Sequence, residues 1–345
     1  MDHLIVTSAV SGSVAAAWND CLDAASFPTH YTAPEFFNEN YFVGRRPFAV
    51  LAMDGEVVNG VVTGLLDGPD MTCGASGSPH VCVRRGANLD EVGRVLATGL
   101  RAHAPSSVAF ISAYTWNEIP GFQTARFRLR KYEVPMCTIL LDLSKGKDWL
   151  FRQCSETRRN KIRRAMKAGV EVAEMNIERE FDEYYDLYRH WCGFKNTPCQ
   201  PYDVQRSVFA TKGNRLILVA RHAGQMVGVS TFRFRRPGVV EYAANVSRRE
   251  QTKVRQNDLL LWRGIEWSVE QRDFSYFSMA GAHFFLQKFG GNAHTTYRYS
   301  LDRTLLRRRD AIAGLRTMAT RVYQRMPEGV RKTAKSLMRR PGEED

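Results

Sequence analysis

Two strand–turn–strand stretches of matching composition, about 168 residues apart, constrain this chain more than any other feature. The first runs from Pro47 to Met53, turns at Asp54 and Gly55, and returns from Val57 to Leu66. Asp-Gly between apolar runs is a strong hairpin signal, because the favoured two-residue turn needs positive φ at both central positions. The second runs from Arg215 to Ala220, turns at His222 to Gly224, and returns from Met226 to Phe232. Leu51 and Ala52 match Val219 and Ala220, and Gly55 and Gly60 match Gly224 and Gly228, with a one-residue shift at the turn that is undone before the second glycine. The same helical patterns precede both hairpins and the same strand–helix order follows them. The duplication predicts a mixed-sheet α/β (α+β) chain of two tandem units, residues 1–145 and 146–304, with a basic helical tail at 305–345.

Periodicity supplies the remaining elements. Helices are expected over Val14–Ala25, around Phe36–Tyr41, and over Leu89–His103, Phe181–Trp191 and Val204–Thr211. Strands are expected at Val108–Ala113, Pro135–Leu143, Val239–Val246 and Phe274–Met279, and residues 67–88 read as a loop with a short strand. Asn257 or Asp258 is placed to cap a helix whose Leu259, Trp262, Ile265 and Val269 keep helical spacing.

Between the units lies a short basic helix, residues 155–169, with Ser155 as its N-cap and Gly169 where a C-terminal stop falls. Ile162, Ala165 and Met166 form one apolar stripe, and seven cations between Arg152 and Lys167 crowd the rest. Such a run is either a solvated face or a clamp for something anionic. The whole chain carries a formal charge of +13, which favours polyanionic partners: phosphates, nucleotide cofactors, RNA or an acidic membrane face. The tail adds Arg307, Arg308, Arg309 and further basic residues beside the apolar Leu315, Met318, Val322 and Tyr323. It reads either as a helix pair lying on an anionic membrane or nucleic acid, or as a docked helix with a solvated basic face.

No apolar run approaches the roughly 20 residues that a spanning helix needs. The first residues resemble no signal peptide. The seven cysteines are scattered, without CxxC spacing or a completing histidine pattern, so reduced thiols, a cytoplasmic setting and no metal site are expected.

Hairpin, third strand, basic loop, helix and further strand is the order of the acyl-CoA-binding core of GNAT acyltransferases. Two such units with the basic stretch Arg158–Val172 resemble the FemAB/FemX-like branch and its cellulose-biosynthesis-type relatives, as does the late aromatic–glycine stretch Phe284–Gly291. The resemblance covers about residues 14–300. It implies an N-acyltransferase that acylates an amino group of a sugar, nucleotide-linked or lipid-linked envelope precursor from acyl-CoA. In FemX-like proteins the donor is instead an aminoacyl-tRNA. A non-catalytic nucleic-acid or membrane-binding module is the remaining alternative, and a monomer or dimer at the inner face of the membrane fits each. Where GNAT enzymes carry glycines that cradle the CoA pyrophosphate, the loop here, Arg248 to Gln256, has none. FemAB-like proteins often lack them too. The family's late signature carries a lysine where this chain has Leu286; Lys288 substitutes only if the segment is extended.

Acyl transfer needs an uncharged amine, an oxyanion donor, a base and an acid for the leaving group. A backbone N–H of the third strand can be the oxyanion donor. Glu241, in the apolar strand Val239–Val246, is the candidate base or else a strand-edge carboxylate paired with a local arginine. Tyr242 or Tyr276 is a leaving-group acid or a core residue, and Lys288 is a further catalytic candidate. Arg248, Arg255, Gln256 and Asn257 are candidates for donor binding; Arg159, Arg163, Arg164, Asn245 and His283 for acceptor binding. Guanidinium groups suit phosphate, being always charged and bidentate. The first unit's corresponding loop, Met71–Pro79, lacks basic residues and is expected to hold no donor.

Overall fold

The computed structural model describes residues 1–39, 44–211, 213–248 and 250–325. The first half runs β1 (Asp2–Val6), α1 (Gly12–Asp23), 3₁₀ turns at His30–Thr32 and Pro34–Asn38, then the hairpin β2 (Arg46–Asp54) and β3 (Val57–Asp67). β4 (Asp70–Ala75), β5 (Ser78–Pro79), β6 (Val81–Val83), α2 (Leu89–His103), β7 (Phe110–Thr115), α3 (Gly121–Thr124), β8 (Arg128–Tyr132) and β9 (Thr138–Asp142) complete it. The second half begins α4 (Lys147–Gln153), α5 (Glu156–Lys167), β10 (Glu171–Glu174), α6 (Ile177–Lys195) and α7 (Tyr202–Ala210). The second hairpin, β11 (Arg215–His222) and β12 (Gln225–Phe234), leads to β13 (Gly238–Ser247), α8 (Gln256–Glu270), β14 (Phe274–Ser278) and α9 (Phe284–Gln287). β15 (Asn292–His294), β16 (Thr296–Asp302) and α10 (Arg308–Arg325) close the described chain.

The duplication is visible strand by strand. One sheet has the order β1-β2-β3-β4-β7-β16-β8, the other β10-β11-β12-β13-β14-β9-β15. Each contains one parallel pair at the same place, β4 with β7 and β13 with β14. Both hairpins slip register directly after the matched alanines, Ala52 and Ala220. The matched glycines have a packing reason. A Cβ on Gly60 would stand 2.4 Å from Val92 of α2, and one on Gly228 would stand 3.1 Å from Leu260 of α8. Each glycine lets a helix settle close to the hairpin.

The sheets do not divide at residue 145. β9, from the first half, occupies the sixth place of the second sheet, and β16 returns to the sixth place of the first. Each therefore completes the sheet built by the other half. β9 is short and apolar and β16 mixes aromatic with polar residues, and nothing local in either segment specifies which sheet it joins.

Several local expectations are also corrected. Only Pro34–Asn38 of the helix expected near Phe36–Tyr41 is described, as a 3₁₀ turn; residues 40–43 lie outside the described residues. Met166 is exposed while Ile162 and Ala165 of α5 are fully buried. The cap of α8 is Arg255, in the left-handed region at φ 62°, so Asn257 and Asp258 fall inside the first turn. Residues 326–345 of the tail lie outside the described residues.

The two halves meet through buried charge. Glu39 accepts from Arg215 Nη2 at 2.7 Å and lies 2.6 Å from His30 Nε2, each side chain almost wholly buried. Burial alone would raise the Glu39 pKa, but His30 and Arg215 overcome it and hold the carboxyl at about 2. Arg233 donates to the Tyr31 hydroxyl at 3.0 Å, and Arg235 to Asp23 at 2.6 Å.

Candidate functional site

β13 and β14 run parallel from Gly238 opposite Phe274 to Glu241 opposite Ser278, and then part. The cause is a bulge: Thr231 pairs with Ala244 and Phe232 with Tyr242, leaving Ala243 as an extra residue on β13. A bulge bends its strand and strengthens the local twist. Beyond Ser278 the chain turns to β9, where the Met279 N–H donates to the Ile139 carbonyl at 3.0 Å. The pairing therefore stops short of Tyr242–Ser247, leaving a gap beside the end of β13 that leads to α8. Among the described residues, no strand pairs with the backbone of β13 on that side from Ala243 onward.

One line of polar side chains runs along β12 and β13 beside this gap. Asn245 Nδ2 donates to Ser230 Oγ at 2.9 Å, and Asn257 Nδ2 donates to Ser247 Oγ at 3.1 Å. Tyr242 has its phenol beside Ser230; burial raises its pKa and Ser230 works the other way. Tyr242, Asn245 and Asn257 are thus brought together. Ser230 and Ser247 join them without any sequence signal, since a serine inside a strand pattern marks nothing by itself.

At the head of the gap, among the described residues no side chain caps the N-terminus of α8. The first-turn amides of a fifteen-residue helix form a positive end suited to anions. Lys161 of α5 stands near it: burial first, then the charges of Arg158 and Arg255, lower the pKa of its ammonium. The acid of the first turn, Asp258, is neutralised by an ion pair with Arg158. Of the loop residues expected to bind a donor, Arg255 and Asn257 are at this end. Gln256 is not available: its side chain is fully buried, donating to the carbonyls of Arg248 and Val227 at 3.3 and 3.4 Å. Arg248 donates to the Met226 carbonyl at 3.4 Å and so braces the loop.

The basic helix α5 divides by direction. Ser155 caps it, accepting from the Arg158 N–H. Arg158 turns inward, donating to the Phe285 carbonyl at 3.0 Å with its guanidinium 4.1 and 4.6 Å from the ring centres of Phe285 and Phe289. Arg159 donates to the carbonyls of Arg152 and Cys154, closing the end of α4. Arg163 lies over Phe151 at 5.3 Å. Arg163, Arg164 and Lys167 are exposed and form the outward cationic row.

Three expected catalytic or binding residues fall elsewhere. The segment after His283 is helical, so Lys288 does not stand beside Leu286; its ammonium lies 4.7 Å over the Phe284 ring. His283 is exposed, and burial of its surroundings lowers its pKa. Glu241 is 1 % exposed, with neither oxygen hydrogen-bonded among the described residues. Burial holds its carboxyl well above the usual range, against the opposing charge of Arg233. A carboxyl sealed from solvent cannot reach a substrate's proton, so Glu241 does not fit the base role.

A cavity of about 290 Å³ lies between α6, α7 and β12–β13 and reaches the free edge of β13 at Ala243–Val246. Tyr184, Tyr188 and Trp191 recur at helical spacing along α6 and stack in series, with interplanar angles of 12° and 18°. Phe209, Arg233 and Asn245 complete its character: aromatic walls with few polar groups. In the first half the helix corresponding to α8 is α2, and its end differs. Asn88 Oδ1 accepts from the N–H groups of Asp90 and Glu91, and both acids stand in the first turn.

No family model matches the chain, and no curated protein matches it. Solved structures do. FemX aligns with a TM-score of 0.65 at 10% identity, covering 87% of this chain and 98% of its own. The C-terminal domain assigned to a lysylphosphatidylglycerol synthetase of Agrobacterium fabrum gives 0.58 at 12%, covering 90% and 96%. A tandem GNAT protein from the clavulanic acid pathway gives 0.55 at 14%, covering 88% and 99%. Among the described residues no helix is long and apolar enough to cross a membrane. The architecture of this chain is the FemX-like tandem GNAT fold.

Proposed function

We propose that the second sheet carries an N-acyltransferase site, with a phosphate-bearing acyl donor at the N-terminus of α8 and an amine acceptor in the aromatic cavity. The observation that carries this reading is the parting of β13 and β14 at the Ala243 bulge, directly before an uncapped helix end flanked by Lys161 and Arg255. The donor carbonyl lies along the free edge of β13, where a backbone N–H serves the developing oxyanion; one such donor is worth roughly 3–4 kcal/mol where measured. The amine attacks, the C–N bond forms and the bond to the leaving thiolate or alkoxide breaks. Tyr242 supplies the leaving group's proton and is reprotonated by the proton the amine releases, relayed through solvent in the cavity. Tyr188 and Trp191 offer faces on which a sugar ring stacks, consistent with an amino-sugar or lipid-linked envelope precursor as acceptor. Capped and acidic, the end of α2 disfavours an anion, so the first half is assigned no donor.

Acyl-CoA is the first reading of the donor. Aminoacyl-tRNA is the second, favoured by the buried Gln256 side chain filling the loop where glycines would cradle a pyrophosphate, and by the outward row Arg163, Arg164 and Lys167. Calorimetric titration with acetyl-CoA and with a non-hydrolysable charged tRNA separates them. Lys161→Ala with Arg255→Ala should weaken the true donor about tenfold, with a reduced salt dependence. If neither compound binds the wild type, or the double variant binds unchanged, the phosphate site is wrong.

A further inference from the structure

α10 begins under tight constraint. Asp310 is 1 % exposed and accepts from Arg298 Nη2 and Ser300 Oγ, each at 2.8 Å. Its carbonyl accepts from Arg130 at 3.1 Å, and its N–H donates to Asp302 at 2.8 Å. These bonds fix the roll of the helix on β16. The face turned outward is apolar: Ala311, Ile312, Leu315, Met318, Ala319 and Val322 fall on one arc at 100° per residue, and each is exposed. Leu315 and Met318 are 67% and 64% exposed. Just before the helix, Leu306 and Arg307 take positive φ, 56° and 50°, a conformation bulky side chains rarely adopt. That turn holds Leu305 and Leu306 at 87% and 90% exposure.

Charge names the partner. Residues 305–325 contain six arginines, at 307, 308, 309, 316, 321 and 325, and one acid, the buried Asp310. The surface of the helix therefore offers water no carboxylate. A second copy docked face to face would set arginine-rich helices of like charge against each other, and the exposed acid beside the first turn, Asp70, is already paired with Arg309 of its own chain. An anionic bilayer satisfies both halves of the pattern, taking apolar side chains into its acyl boundary and phosphates to the arginines. We propose that α10 and the Leu305–Leu306 turn lie in the interface of an anionic lipid membrane.

The experiment is sedimentation of the full chain with phosphatidylglycerol–phosphatidylcholine vesicles and with pure phosphatidylcholine vesicles. The wild type should bind the anionic vesicles, release with added salt, and ignore the zwitterionic ones. Leu315→Glu with Met318→Glu removes exposed apolar groups, so folding is spared; anionic-vesicle binding should fall about tenfold or more. The basic residues beyond 325 are untouched by these changes, so unchanged binding in the double variant would overturn the assignment to this helix face. So would wild type that fails to sediment, or a concentration-dependent dimer in ultracentrifugation that the same double variant abolishes.

Discussion

Asp258→Asn isolates the role of one buried charge. The substitution keeps shape, so no cavity forms, and it leaves Arg158 cationic with side-chain exposure of 4%. The guanidinium keeps the Phe285 carbonyl at 3.0 Å and two aromatic faces, but nothing of opposite charge. Burial lowers its pKa to about 10, so it stays charged at neutral pH and cannot escape by losing its proton. Removing one partner of a buried pair costs about 3–5 kcal/mol, most of it the stranded charge. For a chain of this size that is a fall in melting midpoint of roughly 4–7 °C. Replacing both partners, Arg158→Met with Asp258→Leu, should recover most of the loss, because well-packed apolar pairs often match or exceed buried ion pairs. Scanning calorimetry of wild type, both single changes and the double completes the cycle. A single Asp258→Asn within about 1–2 °C of wild type, or a double change as damaging as the single, would refute the account of this pair.

Two further outcomes follow from the packing. Glu39 is held at about 2, below its unfolded value, so the unfolded chain binds the extra proton; stability is present above the ordinary carboxylate range and lost as pH falls through it. The unfolding free energy of wild type from urea melts should therefore drop on acidification by an amount on the order of 3 kcal/mol, and Glu39→Gln, already weakened at neutral pH, should lack that limb. Gly264→Ala places a Cβ 2.2 Å from the Phe232 ring, costing about 1–3 kcal/mol; thermal melts should show recovery when Phe232→Leu is added.

What could be read beforehand was whatever local chemistry determines. Leu89–His103 was legible to the residue because Asn88 caps it and its apolar positions keep one period. The two hairpins were legible from their glycines, whose purpose, close helix approach, lies one step beyond the pattern. Other features depend on partners far along the chain. Arg158 and Arg159 are adjacent and alike in sequence; the packing of α8 and α9 decides that one is buried against Asp258 and the other closes α4. Arg255 as a cap was hidden because a left-handed arginine has no signature. Glu241 looked like a base in an apolar strand, and only the seal around it removes that role.

The exchange of β9 and β16 also sets an order of events during synthesis. β8 pairs with β16, and β16 lies between it and β7. When the ribosome has finished the first half of the chain, β7 has an open edge and β8 has no neighbour in its own sheet. Both wait for residues 296–302, by which point nearly the whole second sheet has been made. The first half to be translated is thus the last to close, and a nascent-chain protease assay should find β8 protected only after β16 has left the exit tunnel.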